Sequence, residues 1–225
     1  MKNIFIVIAA YNEEKNLSSV VKGLKKAGYS NIVVVDDGSK DSTFDVAEKA
    51  GAIVLQHSIN RGQGASLKTG IDYALLHGAG IIVTFDADGQ HRVEDLPAMI
   101  KPVAKGKYDI TVGSRFLKRT KVPFMRKLLL KGSIMTVRLF YGIKMSDAHN
   151  GFRAMSRKAA EKIEITCDRM AHASEIVEEI HKKNLRYKEI PVTILYTQNT
   201  LKRGHGSYFG AVKILARMIF KKFAR

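Results

Sequence analysis

Two carboxylates two residues apart, in Thr84-Phe85-Asp86-Ala87-Asp88-Gly89-Gln90-His91, carry the clearest chemistry in this sequence. Carboxylates that close repel unless a proton or a cation lies between them. A hard divalent ion with oxygen ligands suits the pair, and Gln90 continues the spacing with a neutral amide oxygen. Such an ion would also touch a diphosphate. Before the pair, Gly80-Ile81-Ile82-Val83 is a short β-branched run that reads as a buried strand. The carboxylates therefore sit at a strand's C-terminal end, where ligands bind in open α/β sheets. On a continuing strand both would point to one face. The competing reading is a polar Asp-Gly turn that caps a helix.

The elements that must position this pair repeat the arrangement. Asn3–Ala9 is a nearly continuous apolar run, typical of a strand covered on both faces, and it ends in Ala10-Tyr11-Asn12-Glu13-Glu14. Asn12 is expected to cap the helix that follows, whose apolar face holds Leu17, Val20, Val21 and Leu24. Ile32–Val35 is a second buried strand, ending in Asp36-Asp37-Gly38-Ser39. A helix over about Ser42–Ala50 and a strand at Ala52–Leu55 follow. Asn60-Arg61-Gly62-Gln63-Gly64-Ala65 is then a glycine-rich turn opening a helix to about His77. A helix near Val93–Ala104 and a strand at Asp109–Val112 complete this half. The alternation predicts a mostly parallel sheet with helices on both faces. Parallel strands bring Tyr11, Glu13, Asp36, Asp37, Asp86 and Asp88 to one rim. That rim suits a nucleotide: carboxylates take base N–H groups or ribose hydroxyls, Tyr11 stacks, and a metal carries the phosphates.

Charge divides the chain. Of 38 Lys/Arg and 21 Asp/Glu, 13 of each fall in residues 1–110, leaving 25 basic and 8 acidic residues beyond. All of the +17 net charge therefore lies in the second half, which should meet something anionic. Lys118-Arg119-Thr120-Lys121 is a basic loop. Pro123 to about Tyr141 reads as a helix apolar on more than one side, either buried or lying in a lipid interface. Ser146–Arg153 is a polar turn entering a short strand. Helices are expected around Ser156–Ile163 and Ser174–Lys183. A strand within Arg186–Tyr196 is placed at a sheet edge by Pro191. Lys202-Arg203-Gly204-His205-Gly206-Ser207 is a basic loop. Tyr208–Arg225 is an amphipathic helix with Lys213, Arg217 and Lys221 along one side. It fits an interfacial membrane helix, a helix docked in a partner's groove, or one packed on its own domain. No run approaches the roughly 18 apolar residues of a transmembrane helix. The single cysteine, Cys167, excludes an intrachain disulfide and fits the cytosol. His57, His77 and His181 read as surface residues.

Taken in order, Tyr11-Asn12-Glu13, Val35-Asp36-Asp37-Gly38-Ser39, Asn60 with Gly62 and Gly64, Asp86–His91, Gly113-Ser114-Arg115 and Asp147 with Gly151-Phe152-Arg153 resemble family 2 glycosyltransferases of the GT-A fold. Within them the likeness is to polyprenyl-phosphate glycosyltransferases of the dolichol-phosphate mannose synthase type, over residues 3–155 and more weakly to about Tyr196. The resemblance implies an α/β, Rossmann-like GT-A sheet flanked by helices. Residues 1–200 would be the catalytic domain, with a nucleotide-binding half (1–110) and an acceptor half (111–200), and 201–225 a basic extension. It implies that Ala9, Tyr11, Glu13, Val35 and Asp37 hold base and ribose. Asp86, Ala87 and Asp88 would form the DxD element of the donor site, and Asp86, Asp88 and Gln90 the metal site for Mg2+ or Mn2+. Arg115 and Arg126 would face donor or acceptor phosphates, Asp147 would lie near the reacting centre, and Lys202 or Arg203 would reach phosphate from a closing loop. Two departures stand out: Ala9 replaces a usual proline, and Tyr208 stands where the closing loop commonly carries lysine.

The implied reaction moves a mannose- or glucose-type sugar, with inversion, from a GDP or UDP sugar to a polyprenyl or dolichyl phosphate. The acceptor is already an anion, so arginines would position it and no strong base is needed. For a hydroxyl acceptor, Asp147 would be the candidate base. The expected location is the cytoplasmic face of a membrane, held peripherally by anionic lipid or a membrane partner subunit. Transfer to a soluble sugar, protein or glycan is the rival activity. A basic nucleic-acid-binding module is a remote one that leaves the carboxylate rim unexplained, and no nucleic-acid partner is expected.

Overall fold

The computed structural model describes residues 3–117, 145–147 and 149–195. The basic loop 118–121, the 123–141 segment with Arg126, Tyr196, Lys202, Arg203 and the 208–225 segment lie outside the described residues.

Among these residues seven strands form one sheet: β1 (Ile4–Ala10), β2 (Asn31–Asp36), β3 (Ile53–Gln56), β4 (Ile81–Thr84), β5 (Ile110–Ser114), β6 (Arg153–Ser156) and β7 (Tyr187–Pro191). Their order is β3-β2-β1-β4-β6-β5-β7. β6 runs antiparallel between β4 and β5, and the other strands run together. Six strand ends and the start of β6 therefore share one rim. β7 is the outer strand, as Pro191 requires, because an edge needs no N–H donor on its open side.

The period-two alternation of β1 sorts its side chains to two cores. Phe5 and Val7 join Val33 and Val35 beneath α3 (Gln63–Leu76), with the helices α5 (Arg157–Lys162) and α6 (His172–Lys182). Ile6 and Ile8 join Ile32 and Val34 beneath α1 (Glu14–Lys26), α2 (Thr43–Lys49) and α4 (Leu96–Ala104). Burial on both faces is why these strands lack polar alternation.

One expectation needs correction here. Asn12 does not cap α1: its φ is 53°, and its Oδ1 accepts from the Lys40 N–H at 2.9 Å. The backbone donors of residues 12–14 are instead satisfied from the loop after β2 and the first residue of α2, by Ser39 Oγ (2.9 Å), Thr43 Oγ1 (2.8 Å) and Asp41 Oδ2 (3.3 Å). β4 ends before the acidic pair, close to where the Gly80–Val83 run placed it. It stops at Thr84, and a turn carries Asp86 and Asp88, with Gly89 at φ 74°.

Candidate active site

The Asp86–Asp88 turn sits at the end of β4, between the rims of β1 and β6. Asp86 keeps 30% of its side chain exposed, and its Oδ2 lies 2.8 Å from His91 Nε2 without hydrogen-bond geometry. Gln63 Nε2 approaches Oδ1 at 3.4 Å. Burial raises the Asp86 carboxyl, but its close neighbour His91, with Arg153 and His172 further off, outweighs it and holds the pKa below its ordinary value. Asp88 goes the other way, raised by burial and then by the Asp86 charge. The neighbouring carboxylates thus differ in acidity, as two like charges this close do. Gln90 reaches the pair through its nitrogens: its N–H donates to Asp88 Oδ1 at 3.0 Å and its amide Nε2 to Oδ2 at 2.7 Å. As a metal ligand it would need its amide turned. Among the described residues no three His, Cys, Asp or Glu side chains converge on a metal. The donor set that is present, two carboxylates in one turn, fits a divalent ion completed by ligands from a bound molecule.

Close packing behind the pair depends on glycine. A Cβ at Gly151 would stand 2.5 Å from Asp86 Oδ1, and the Gly151 carbonyl accepts from Thr84 Oγ1 at 2.6 Å. Gly64 similarly lets the start of α3 meet the Cys167 carbonyl, and the Ala65 N–H donates to the Asp168 carbonyl at 3.1 Å. Beside Gly151, Arg153 is fully buried, with Asp86 and Asp147 supporting its charge against burial, which pushes its pKa down to about 10. The same burial, followed by the Arg153 charge, pushes His149 and His172 each down to about 4. Arg153, His91, His149 and His172 had no assigned role in the sequence. His91, His149 and Arg153 carried some signal, as members of the two polar turns, and His172 carried none.

The part of the rim that the resemblance assigns to the nucleotide is more enclosed than its residue types imply. Ala9 and Val35 pair across β1 and β2, Ala87 is buried, and Tyr11 is 41% exposed. Glu13 Oε2 accepts from Asn16 Nδ2 at 2.9 Å. Asp36 is buried, accepting from Ser39 N and Gln56 Nε2. Asp37 is 2% exposed, and its oxygens accept from Arg61 N (3.0 Å), Gly62 N (2.6 Å) and His57 Nδ1 (2.8 Å). A carboxylate only accepts, so His57 Nδ1 is the donor; Nε2 lies 3.0 Å from Thr69 Oγ1. His57 is thus a half-buried bridge rather than a free surface residue. Its role was illegible because its partners are 20 and 12 residues away.

On the other side of β4 the structure brings Arg115 and Asp147 together. Arg115 is 7% exposed, and its backbone N and Nε donate to Asp147 Oδ2 at 3.1 and 2.6 Å. Asp147 is itself buried, and its Oδ1 has no hydrogen-bond partner among the described residues. The segment after β7 then crosses towards the acidic turn: Ile194 bridges His91, and the Leu195 N–H donates to the Gln90 carbonyl at 2.9 Å.

Comparison with known proteins agrees with this architecture. Glucosyl-3-phosphoglycerate synthase of Mycobacterium tuberculosis, solved with Mg2+ and UDP, superposes with a TM-score of 0.75 at 15% identity, covering 96% of this chain and 79% of that one. The fold is accordingly that of the GT-A glycosyltransferases. An uncharacterised protein of Methanocaldococcus jannaschii is 42% identical over 224 residues, 97% of this chain and 92% of that protein. The UDP-N-acetylglucosamine–dolichyl-phosphate N-acetylglucosaminyltransferase of Methanococcus voltae is 32% identical over 247 residues, 100% of this chain and 98% of that enzyme. The sequence model of glycosyl transferase family 2 matches residues 5–164, and the chain belongs to that family.

Proposed function

We propose that this glycosyltransferase moves a sugar from a nucleoside diphosphate to a polyprenyl-type lipid phosphate. The observation that carries the donor half is the acidic turn, with Asp86 and Asp88 set directly after the end of β4 on the sheet's rim. Support for the lipid phosphate is the full-length likeness to the Methanococcus voltae enzyme, whose name states a dolichyl-phosphate acceptor. The basic second half fits the same reading, since it would favour an anionic membrane surface.

In this proposal Asp86 and Asp88, with Gln90 beside them, hold Mg2+ or Mn2+. The ion, when bound, supplies charge for the leaving diphosphate. Ala9 and Val35 present backbone groups to the base, Tyr11 offers a ring face, and Glu13 takes ribose hydroxyls. Asp37 serves the nucleotide by fixing the 60–62 turn. Arg115 positions an anionic phosphate through its guanidinium fork. Asp147 holds Arg115, and this use of its Oδ2 makes it an orienting group rather than a free base. Arg126, Lys202 and Arg203 are assigned to phosphate from the sequence alone. The described residues contain no helix long and apolar enough to cross a membrane. A peripheral position on the cytoplasmic face, through lipid or a membrane subunit, is the corresponding proposal.

A thermal-shift panel of GDP, UDP and their sugar conjugates, with and without Mn2+, identifies the donor, because a ligand that binds the native state raises its melting temperature. The ligand found is then offered polyprenyl phosphate in detergent alongside soluble sugars and phosphates. Metal-dependent transfer to the lipid is expected. Efficient transfer only to soluble acceptors would overturn the acceptor assignment and leave the donor site standing.

A further inference from the structure

β7 is an edge strand, and Glu189 in its middle does something an edge does not require. The register sets Glu189 beside Val112 of β5, and the half-buried side chain reaches the loop that precedes β6. One oxygen, Oε1, accepts three hydrogen bonds: from Ser146 N at 2.8 Å, Ser146 Oγ at 2.7 Å and Asp147 N at 3.2 Å. Ser146 Oγ also lies 2.6 Å from Ser114 Oγ. A hydroxyl has one proton, and that of Ser146 is committed to the carboxylate. Ser114 must then donate to Ser146, and its own oxygen is left to accept from Phe116 N at 3.3 Å. The proton order therefore runs in one direction, from Ser114 through Ser146 to Glu189. One residue further on, Arg115 N and Nε both bind Asp147 Oδ2.

The two loops are thus sewn together at adjacent positions, Ser114 to Ser146 and Arg115 to Asp147. Both stitches depend on one carboxylate from a third element, which fixes the backbone of Ser146 and Asp147. We infer that Glu189 is the positioning residue for Arg115. It holds Asp147 so that Asp147 Oδ2 orients the guanidinium towards the phosphate it serves. The inference rests on the proposed phosphate role of Arg115. Asp147 alone does not explain the arrangement, because a carboxylate orients a partner only as well as its own backbone is held. Here that backbone N–H is bound to Glu189.

The test uses the full-length protein with Glu189→Ala and Glu189→Gln, each alone and combined with Arg115→Lys. Sugar transfer is measured at saturating donor against a range of polyprenyl phosphate concentrations. Nucleotide affinity is measured separately, and hydrogen–deuterium exchange is followed in the peptide 145–152, which needs no acceptor. Glu189→Ala should lower kcat/KM for the acceptor by up to about 10²-fold, the usual effect of an approximately 1 Å misplacement. Nucleotide affinity should stay unchanged. Glu189→Gln keeps an acceptor oxygen and should recover most of the loss. In the Arg115→Lys background Glu189→Ala should cost little more, because residues acting through one group are not additive. Exchange at 145–147 should accelerate in Glu189→Ala. If that variant does not fold, Glu189→Asp, whose shorter arm withdraws the same oxygen, goes through the same cycle. Additive losses, nucleotide affinity falling in step with turnover, or unchanged exchange would each overturn the inference. A wild-type protein that transfers sugar to no phosphate acceptor overturns the acceptor reading instead, and the exchange measurement keeps the two failures apart.

Discussion

Replacing Gly151 with alanine should disable the acidic turn while leaving the fold nearly intact. Ordinary contact begins at 3.4 Å, and the new Cβ would stand 2.5 Å from Asp86 Oδ1, so something must retreat by about 0.9 Å. The backbone at 151 is not free to do so: its carbonyl is bound by Thr84 Oγ1 at 2.6 Å, and the neighbouring Phe152 carbonyl by Gly113 N at 2.8 Å. Asp86, with an accessible side chain, has to move. A divalent ion accepts oxygen ligands over a window of only about 0.2–0.3 Å, so a shift this large removes Asp86 as a ligand. A loss near 10²-fold in kcat/KM is expected, or about 2.7 kcal/mol of transition-state stabilisation. Gly151 does not have a positive φ, so the methyl group brings no backbone strain and the melting temperature should change by no more than a few degrees, roughly 1 kcal/mol. Gly23→Ala, whose Cβ would meet Val93 Cγ2 at an ordinary 3.7 Å, is the control. The assay is Mn2+-dependent nucleotide binding followed by transfer, with melting curves for both variants. Full metal-dependent binding and wild-type turnover in Gly151→Ala would refute the claim that Asp86 must occupy its present position.

Three further outcomes are expected. Asp88→Asn should abolish transfer without changing the melting temperature, and excess chelator should do the same to the wild type; activity in either case removes Asp88 from the ion site. His149 and His172, both near 4 in the folded protein against about 6.5 unfolded, make the folded state bind fewer protons. Their contribution is complete above pH 6.5 and is lost as pH falls towards 4, by roughly 2 kcal/mol each at pH 5; urea midpoints unchanged between pH 7 and 5 would contradict this. Cutting the chain after Ser207 should release it from anionic liposomes at low salt while nucleotide binding survives, since each basic residue near such a surface is worth about 1 kcal/mol; liposome binding equal to that of the intact chain would show that 208–225 is not the anchor.

Local pattern alone was enough for much of this molecule. Ile4–Val7 and Ile32–Val35 are apolar at every position, which only a strand buried on both faces tolerates, and the intervening helical period of Leu17, Val20, Val21 and Leu24 requires a crossover. Strand, helix and parallel strand in turn force the polar residues after β1, β2 and β4 onto one rim. Each of these inferences depends on neighbours in sequence. The residues that finish the site depend on distant ones. Periodicity says which face a side chain takes but not which strand lies alongside, so nothing local places β6 antiparallel between β4 and β5, where it brings Gly151 and Arg153 beside Asp86. Asp36 and Asp37 look like ligands in the sequence because both are acidic and follow a strand. Whether such a carboxylate faces a ligand or turns inward is decided by the donors that reach it. Here Gln56, His57, Arg61 and Gly62 arrive from 20 to 25 residues away and turn both inward. The same holds for Glu189, an unremarkable residue on an edge strand until Ser146 and Asp147, more than 40 residues earlier, lay their N–H groups against it. A buried polar group is stable only when its partners are supplied, and that supply comes from long-range packing, which no window of sequence contains.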